Sequence, residues 1–130
     1  MNTEANKSAG RIMIVDDEPD ISDFLSTFFR MKGYLTHVAN SGQEAIDNLV
    51  QFNPHVILLD VRMPDMDGLE TLKHIREIDD QVGVIMVTAV HEMNIGREAL
   101  SLGAADFVTK PVDLEYLETT VMVKLVSLIQ

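Results

Sequence analysis

Val56-Ile57-Leu58-Leu59-Asp60-Val61-Arg62-Met63-Pro64-Asp65-Met66-Asp67-Gly68 decides the fold. Its four leading apolar residues show no polar alternation, which marks a strand covered on both faces, as in a parallel sheet. The run stops on a carboxylate. Pro64 stiffens the following loop and Gly68 turns it, and a turn that sharp is expected to leave Asp60 exposed at the sheet edge. The same grammar recurs three times: Arg11-Ile12-Met13-Ile14-Val15 runs into Asp16-Asp17, Val84-Ile85-Met86-Val87 into Thr88, and Asp106-Phe107-Val108-Thr109 into Lys110-Pro111.

Strands are therefore expected near 11–16, 56–60, 83–88 and 105–109, with a weaker, alternating strand over Tyr34 to Ala39 at an edge. Helical spacing fills the intervals. Ile21, Phe24, Leu25 and Phe28 follow the i, i+3, i+4, i+7 rule and Gly33 stops that helix. Ser41 caps a second helix carrying Ala45, Ile46 and Leu49, and Asp67-Gly68 opens a third with Leu69, Leu72 and Ile75. A fourth contains Ile95, Ala99, Leu100 and Leu102 before Gly103, and a fifth, after Asp113, carries Leu114, Leu117, Val121 and Leu125. Five βα units with right-handed crossovers give a doubly wound five-stranded parallel α/β sheet with five helices. Residues 1–10 are small, polar and aperiodic and are expected to form a loose tail, with one domain over residues 11–130.

The chain has 130 residues, enough for one domain with a layered core, and its apolar stretches are too short to span a bilayer. It lacks cysteine, which removes disulfides and thiolate metal sites, and no charged start leads into an apolar signal region, so a cytoplasmic location is expected. The net charge of −11 repels phosphate backbones and anionic membranes, which argues against direct nucleic-acid or membrane binding.

Ligands in open α/β sheets bind at the carboxyl ends of the strands, and there this chain gathers three acids, a hydroxyl and an ammonium. Asp60 can accept a phosphoryl group as an acyl phosphate. Asp16, Asp17 and Asp60 together repel one another, and an oxygen-only ligand set suits a hard ion, Mg²⁺, that would bridge to phosphoryl oxygens. Lys110 offers fixed positive charge and Thr88 a hydroxyl donor, so the set supplies the positioning and neutralisation that phosphoryl transfer needs.

Ile14-Val15-Asp16-Asp17-Glu18-Pro19, Leu59 to Gly68, Val87-Thr88-Ala89 and Phe107-Val108-Thr109-Lys110-Pro111 together resemble the receiver domain of bacterial two-component response regulators. The resemblance runs from Arg11 to about Leu128 and implies a flavodoxin-like sheet of order 2-1-3-4-5. It implies that Asp60 is the phosphoacceptor for a sensor histidine kinase or phosphotransfer protein, and that the domain catalyses only its own phosphorylation and dephosphorylation. Asp17 and Asp60 would ligate Mg²⁺ directly, Asp16 through water and Arg62 through its main-chain carbonyl. Thr88 and Lys110 would grip the phosphoryl group, Phe107 would be the switch aromatic, and Lys110-Pro111 would be cis. Arg62 and Val90 occupy the positions that tune acyl phosphate lifetime in this family. Neither is an acid or amide that would place a water, so slow self-hydrolysis is expected.

The crowded apolar C-terminus, Val121 to Ile129, is expected either to pack deeply or to serve a homodimer or effector domain through the fourth-helix to fifth-helix face. His37, His55, His74 and His91 show no ligand spacing. Two other readings compete: an aspartate-nucleophile phosphatase of the haloacid dehalogenase type, and a binding module that works without phosphorylation. Glu18 in the third position of the phosphatase signature and the lack of cap-domain sequence count against the first. The intact acid cluster counts against the second.

Overall fold

The computed structural model describes residues 9–128, with Val90 described by its backbone alone. Five strands alternate with five helices: β1 (Arg11–Val15), α1 (Pro19–Met31), β2 (Leu35–Ala39), α2 (Gly42–Phe52), β3 (Val56–Asp60), α3 (Gly68–Ile78), β4 (Gly83–Ala89), α4 (Met93–Ser101), β5 (Asp106–Lys110) and α5 (Leu114–Leu128). A single 3-10 turn, Val90–Glu92, separates β4 from α4. The strands pair in parallel, as the sequence pattern predicts, in the order β2-β1-β3-β4-β5 that the resemblance implies.

Side-chain alternation splits the core into two layers. Met13, Val15, Ile57, Leu59, Val84 and Met86 face Ala45, Leu49, Leu72, Ile75 and Ala99 from α2, α3 and α4. Ile12, Ile14, Val56, Leu58, Ile85, Val87 and Val108 face Leu25 and Phe29 of α1 and Leu117 and Val121 of α5. Both faces of β1, β3 and β4 are thus apolar, which is why those segments read as unbroken hydrophobic runs.

Local chemistry sets the helix ends. The Ser41 hydroxyl accepts from the Glu44 N–H and the Asp67 carboxylate from the Glu70 N–H, satisfying donors that the first helical turn leaves free. Gly33 and Gly103 take φ of 98° and 107° just beyond α1 and α4, a conformation that side chains resist.

The α1 stripe differs from the sequence expectation. Ser22, Leu25, Ser26 and Phe29 are the buried positions, while Ile21 and Phe24 are exposed. Two serines tolerate burial because each hydroxyl has a partner: Ser22 donates to the Pro19 carbonyl at 3.1 Å, and Ser26 bonds the Thr36 hydroxyl at 2.7 Å. Apolar periodicity alone misses such positions. On α5 only Leu117 and Val121 are fully buried, whereas Met122, Val123 and Val126 face outward. Ile129 lies outside the described residues. So does the expected tail, apart from Ala9, which donates to the Gly33 carbonyl, and Gly10, which accepts from the Leu35 N–H. Among the described residues no helix is long and apolar enough to cross a membrane.

Candidate functional site

Strand register brings the expected residues to one end of the sheet. Val15 lies beside Leu59, Asp60 beside Val87, and Ala89 beside Lys110, so the ends of β1, β3, β4 and β5 are nearly level. Asp16 and Asp17 follow β1, Asp60 ends β3, Thr88 sits near the end of β4, and Lys110 ends β5.

Carboxylate oxygens of Asp16, Asp17 and Asp60 lie within 4.8 Å of one another. Asp16 and Asp60 are buried, at 3% and 4% exposure, while Asp17 opens to solvent. The sequence expectation of an exposed Asp60 is thus corrected. The loop after β3 folds back over it: the Gly68 N–H donates to the Val61 carbonyl at 2.8 Å, and a Cβ on Gly68 would stand 2.5 Å from the Asp60 carbonyl oxygen. Only glycine permits that approach.

Burial has an electrostatic consequence. Loss of solvent, then the neighbouring Asp16 charge, pushes the Asp60 carboxyl up to about 6 against the pull of Lys110. Asp16 also lies above the ordinary carboxylate range, chiefly through burial, opposed by the N–H of Glu18 that donates to it at 2.9 Å. Two incompletely compensated buried acids beside an exposed third form an oxygen-only set that fits a hard divalent cation. Asp60 Oδ1 faces the Lys110 Nζ at 3.4 Å and accepts a long bond from the Arg62 N–H, also 3.4 Å. Both contacts fall on Oδ1, so among the described residues no protein donor holds Oδ2.

Thr88 is buried, and its hydroxyl is shared between the carbonyls of Ala89 and Glu92, each at 3.3 Å. Phe107 is half-buried, with its ring against Gly96 of α4. The Lys110-Pro111 bond is cis, as the resemblance implies. Val90 begins the 3-10 turn, and its side chain lies outside the described residues.

One residue escaped the sequence reading. The Glu92 carboxylate, 5% exposed, is ion-paired with the guanidinium of Arg62 across the mouth of the site. Glu92 follows an apolar strand and precedes a helix, so by pattern it reads as a solvated first-turn acid. Nothing in sequence spacing ties it to an arginine after a different strand.

A parallel doubly wound domain with an acid cluster, a hydroxyl and a lysine at the carboxyl ends of its strands defines a phosphoryl-handling class of protein. The comparisons carry this further. The family model "Response regulator receiver domain" matches residues 12–122. The chain is 44% identical over 111 residues to Regulatory protein AtoC of Escherichia coli K12, covering 85% of this chain and 24% of that protein's length. It is 37% identical to Sporulation initiation phosphotransferase F of Bacillus subtilis, covering 85% of this chain and 90% of that one. A solved receiver domain protein (CheY-like) from Methanospirillum hungatei superposes with a TM-score of 0.87 at 28% identity, covering 93% of this chain and 97% of that one. The chain belongs to the response regulator receiver domain family of two-component signalling.

Proposed function

We propose that Asp60 is the phosphoacceptor of this receiver and that its phosphorylation requires Mg²⁺. The carrying observation is the buried Asp60 carboxylate between Lys110 and the other two acids. In the transfer, a carboxylate oxygen of Asp60 attacks phosphorus as the bond to the donor's imidazole nitrogen, or to the acetate oxygen of acetyl phosphate, breaks. The acyl phosphate forms and the leaving group departs with the electron pair. Asp16, Asp17, Asp60 and the Arg62 main-chain carbonyl would hold the cation. The cation would neutralise the acid cluster and the incoming phosphoryl oxygens. Lys110 remains to pair with the phosphoryl charge once Asp60 carries the acyl phosphate. The Thr88 hydroxyl exchanges its two long bonds to carbonyls for a charged phosphoryl acceptor, a stronger partner.

Phe107, packed beside Gly96, would carry that movement to α4, so that the output is a change of surface. The phosphoryl donor would be a histidine kinase or phosphotransfer protein in the cytoplasm. Exposed Val123, beside Ala105 and Asp106 of the β5 edge, supports contact of the α4–α5 face with a second copy or an effector region. The domain's chemistry would be confined to its own phosphorylation and loss of phosphate. The Arg62 guanidinium is permanently protonated and supplies no base to a water, which supports a slow loss.

Incubation with acetyl phosphate and Mg²⁺, followed by intact mass analysis, tests the reading. One adduct is expected in the wild type, stable for much longer than seconds and absent from Asp60→Asn. An unmodified wild type, or turnover of aryl phosphates dependent on Asp16, would contradict it.

A further inference from the structure

Four contacts close a ring around the site. The Arg62 N–H donates to Asp60 Oδ1 at 3.4 Å, and the Arg62 guanidinium pairs with the Glu92 carboxylate. The Glu92 main-chain carbonyl accepts from the Thr88 hydroxyl at 3.3 Å, and the Val61 N–H donates to the Val87 carbonyl at 3.2 Å, joining the two strand ends. The acceptor loop is therefore tied at two places, to β4 by a backbone bond and to the turn before α4 by an ion pair.

The ion pair is asymmetric. Arg62 is 74% exposed along its side chain, whereas the Glu92 carboxylate is 5% exposed and Arg62 is its only charged partner among the described residues. A buried carboxylate with a single partner depends on it strongly, because removing that partner leaves an uncompensated charge. Glu92 thus holds its backbone where the pair demands, and that backbone includes the carbonyl on which the Thr88 hydroxyl rests.

We propose that the Arg62–Glu92 pair is a latch that holds the Thr88 hydroxyl turned away from Asp60 and so sets how readily the domain enters its phosphorylated conformation. Glu92 is a positioning residue: it acts on the reacting atoms through Thr88. The proposal rests on the receiver reading above and adds a control element to the same site. Phosphorylation of Asp60 turns the carboxylate that the Arg62 N–H touches into the uncharged acyl part of an acyl phosphate and draws Thr88 off the Glu92 carbonyl. Both ends of the latch are loosened by the one event. A two-state element biased by contacts made in only one state is what coupling between acceptor and surface requires.

The test is methyl and aromatic NMR of the full chain, following Thr88 and Phe107. Beryllium fluoride with Mg²⁺ serves as the phosphoryl analogue and fixes the position of the activated wild type. Without analogue, Glu92→Gln and Arg62→Met are each expected to move both signals along the line from resting to activated wild type, raising the minor population about fivefold, the low end of site-to-site coupling. Combining the two should move them no further, and Arg62→Lys should largely restore the resting position. Loss of packing alone would lower stability without moving the signals along that line. Should Glu92→Gln not fold, Arg62→Met, on an exposed side chain, carries the test alone. Variant signals that stay at the resting position while the wild type responds to the analogue overturn the latch only. A wild type indifferent to the analogue overturns the receiver reading and the latch with it.

Discussion

Replacing Asp60 by Asn should make the metal-free protein more stable, although it abolishes the proposed function. The Asp60 carboxyl is pushed from 3.8 up to about 6 by burial and by Asp16. An acid whose folded pKa is raised binds more protons folded than unfolded. Its fold is then most favoured below 3.8 and loses stability as pH rises from there through about 6. A shift of about 2 units corresponds to about 3 kcal/mol, which is the ceiling for the gain at pH 7.5. That ceiling already includes the pull of Lys110; Asn keeps an acceptor for the Arg62 N–H but puts an amide N–H₂ where a carboxylate oxygen stood, so the net gain should be about 1–2 kcal/mol. For a domain of this size that is a rise in Tm of about 3–10 °C. Thermal unfolding of wild type and Asp60→Asn at pH 4.0 and 7.5, with and without Mg²⁺, gives the answer. The gap should be present at pH 7.5, close toward pH 4.0, and narrow when Mg²⁺ stabilises the wild type by binding only its folded state. An Asn variant that melts at or below the wild-type temperature at pH 7.5 without metal would refute the argument from burial.

Two further tests address the frame around the site. The His55 ring accepts from the Arg11 N–H at Nδ1 and faces the Arg11 guanidinium at Nε2, and burial followed by the Arg11 charge lowers its pKa. Its contribution is then complete above 6.5 and lost as pH falls below, so His55→Gln should flatten the fall of Tm on acidification from pH 7 to 5.5 relative to wild type. A Cβ on Gly96 would stand 2.7 Å from the Phe107 ring, so Gly96→Ala should cost about 1–3 kcal/mol in chemical denaturation and displace the Phe107 ring signals.

The sheet was legible because β1, β3 and β4 are buried on both faces, which writes continuous apolar runs, and because caps such as Ser41 and Asp67 announce their helices. The acid cluster was legible for the same reason: polar residues that end buried strands stand out. Depth was not. Whether Asp60 is covered depends on how closely the Gly68 turn approaches, a backbone distance with no pattern in one dimension. The α1 face was misread by one position, because Ser22 and Ser26 are buried by hydrogen bonds and not by apolarity. Glu92 was invisible because its partner Arg62 comes from a different βα unit, and only the closeness of β3 and β4 joins them.

Acceptance by Asp60 alone, among three clustered acids, can be read out residue by residue. After phosphorylation by acetyl phosphate with Mg²⁺, borohydride reduction of the acyl phosphate converts the modified aspartate to homoserine, which peptide mapping locates. Homoserine is expected at position 60, with Asp16 and Asp17 unmodified. Homoserine at position 16 or 17, with Asp60 intact, would contradict it.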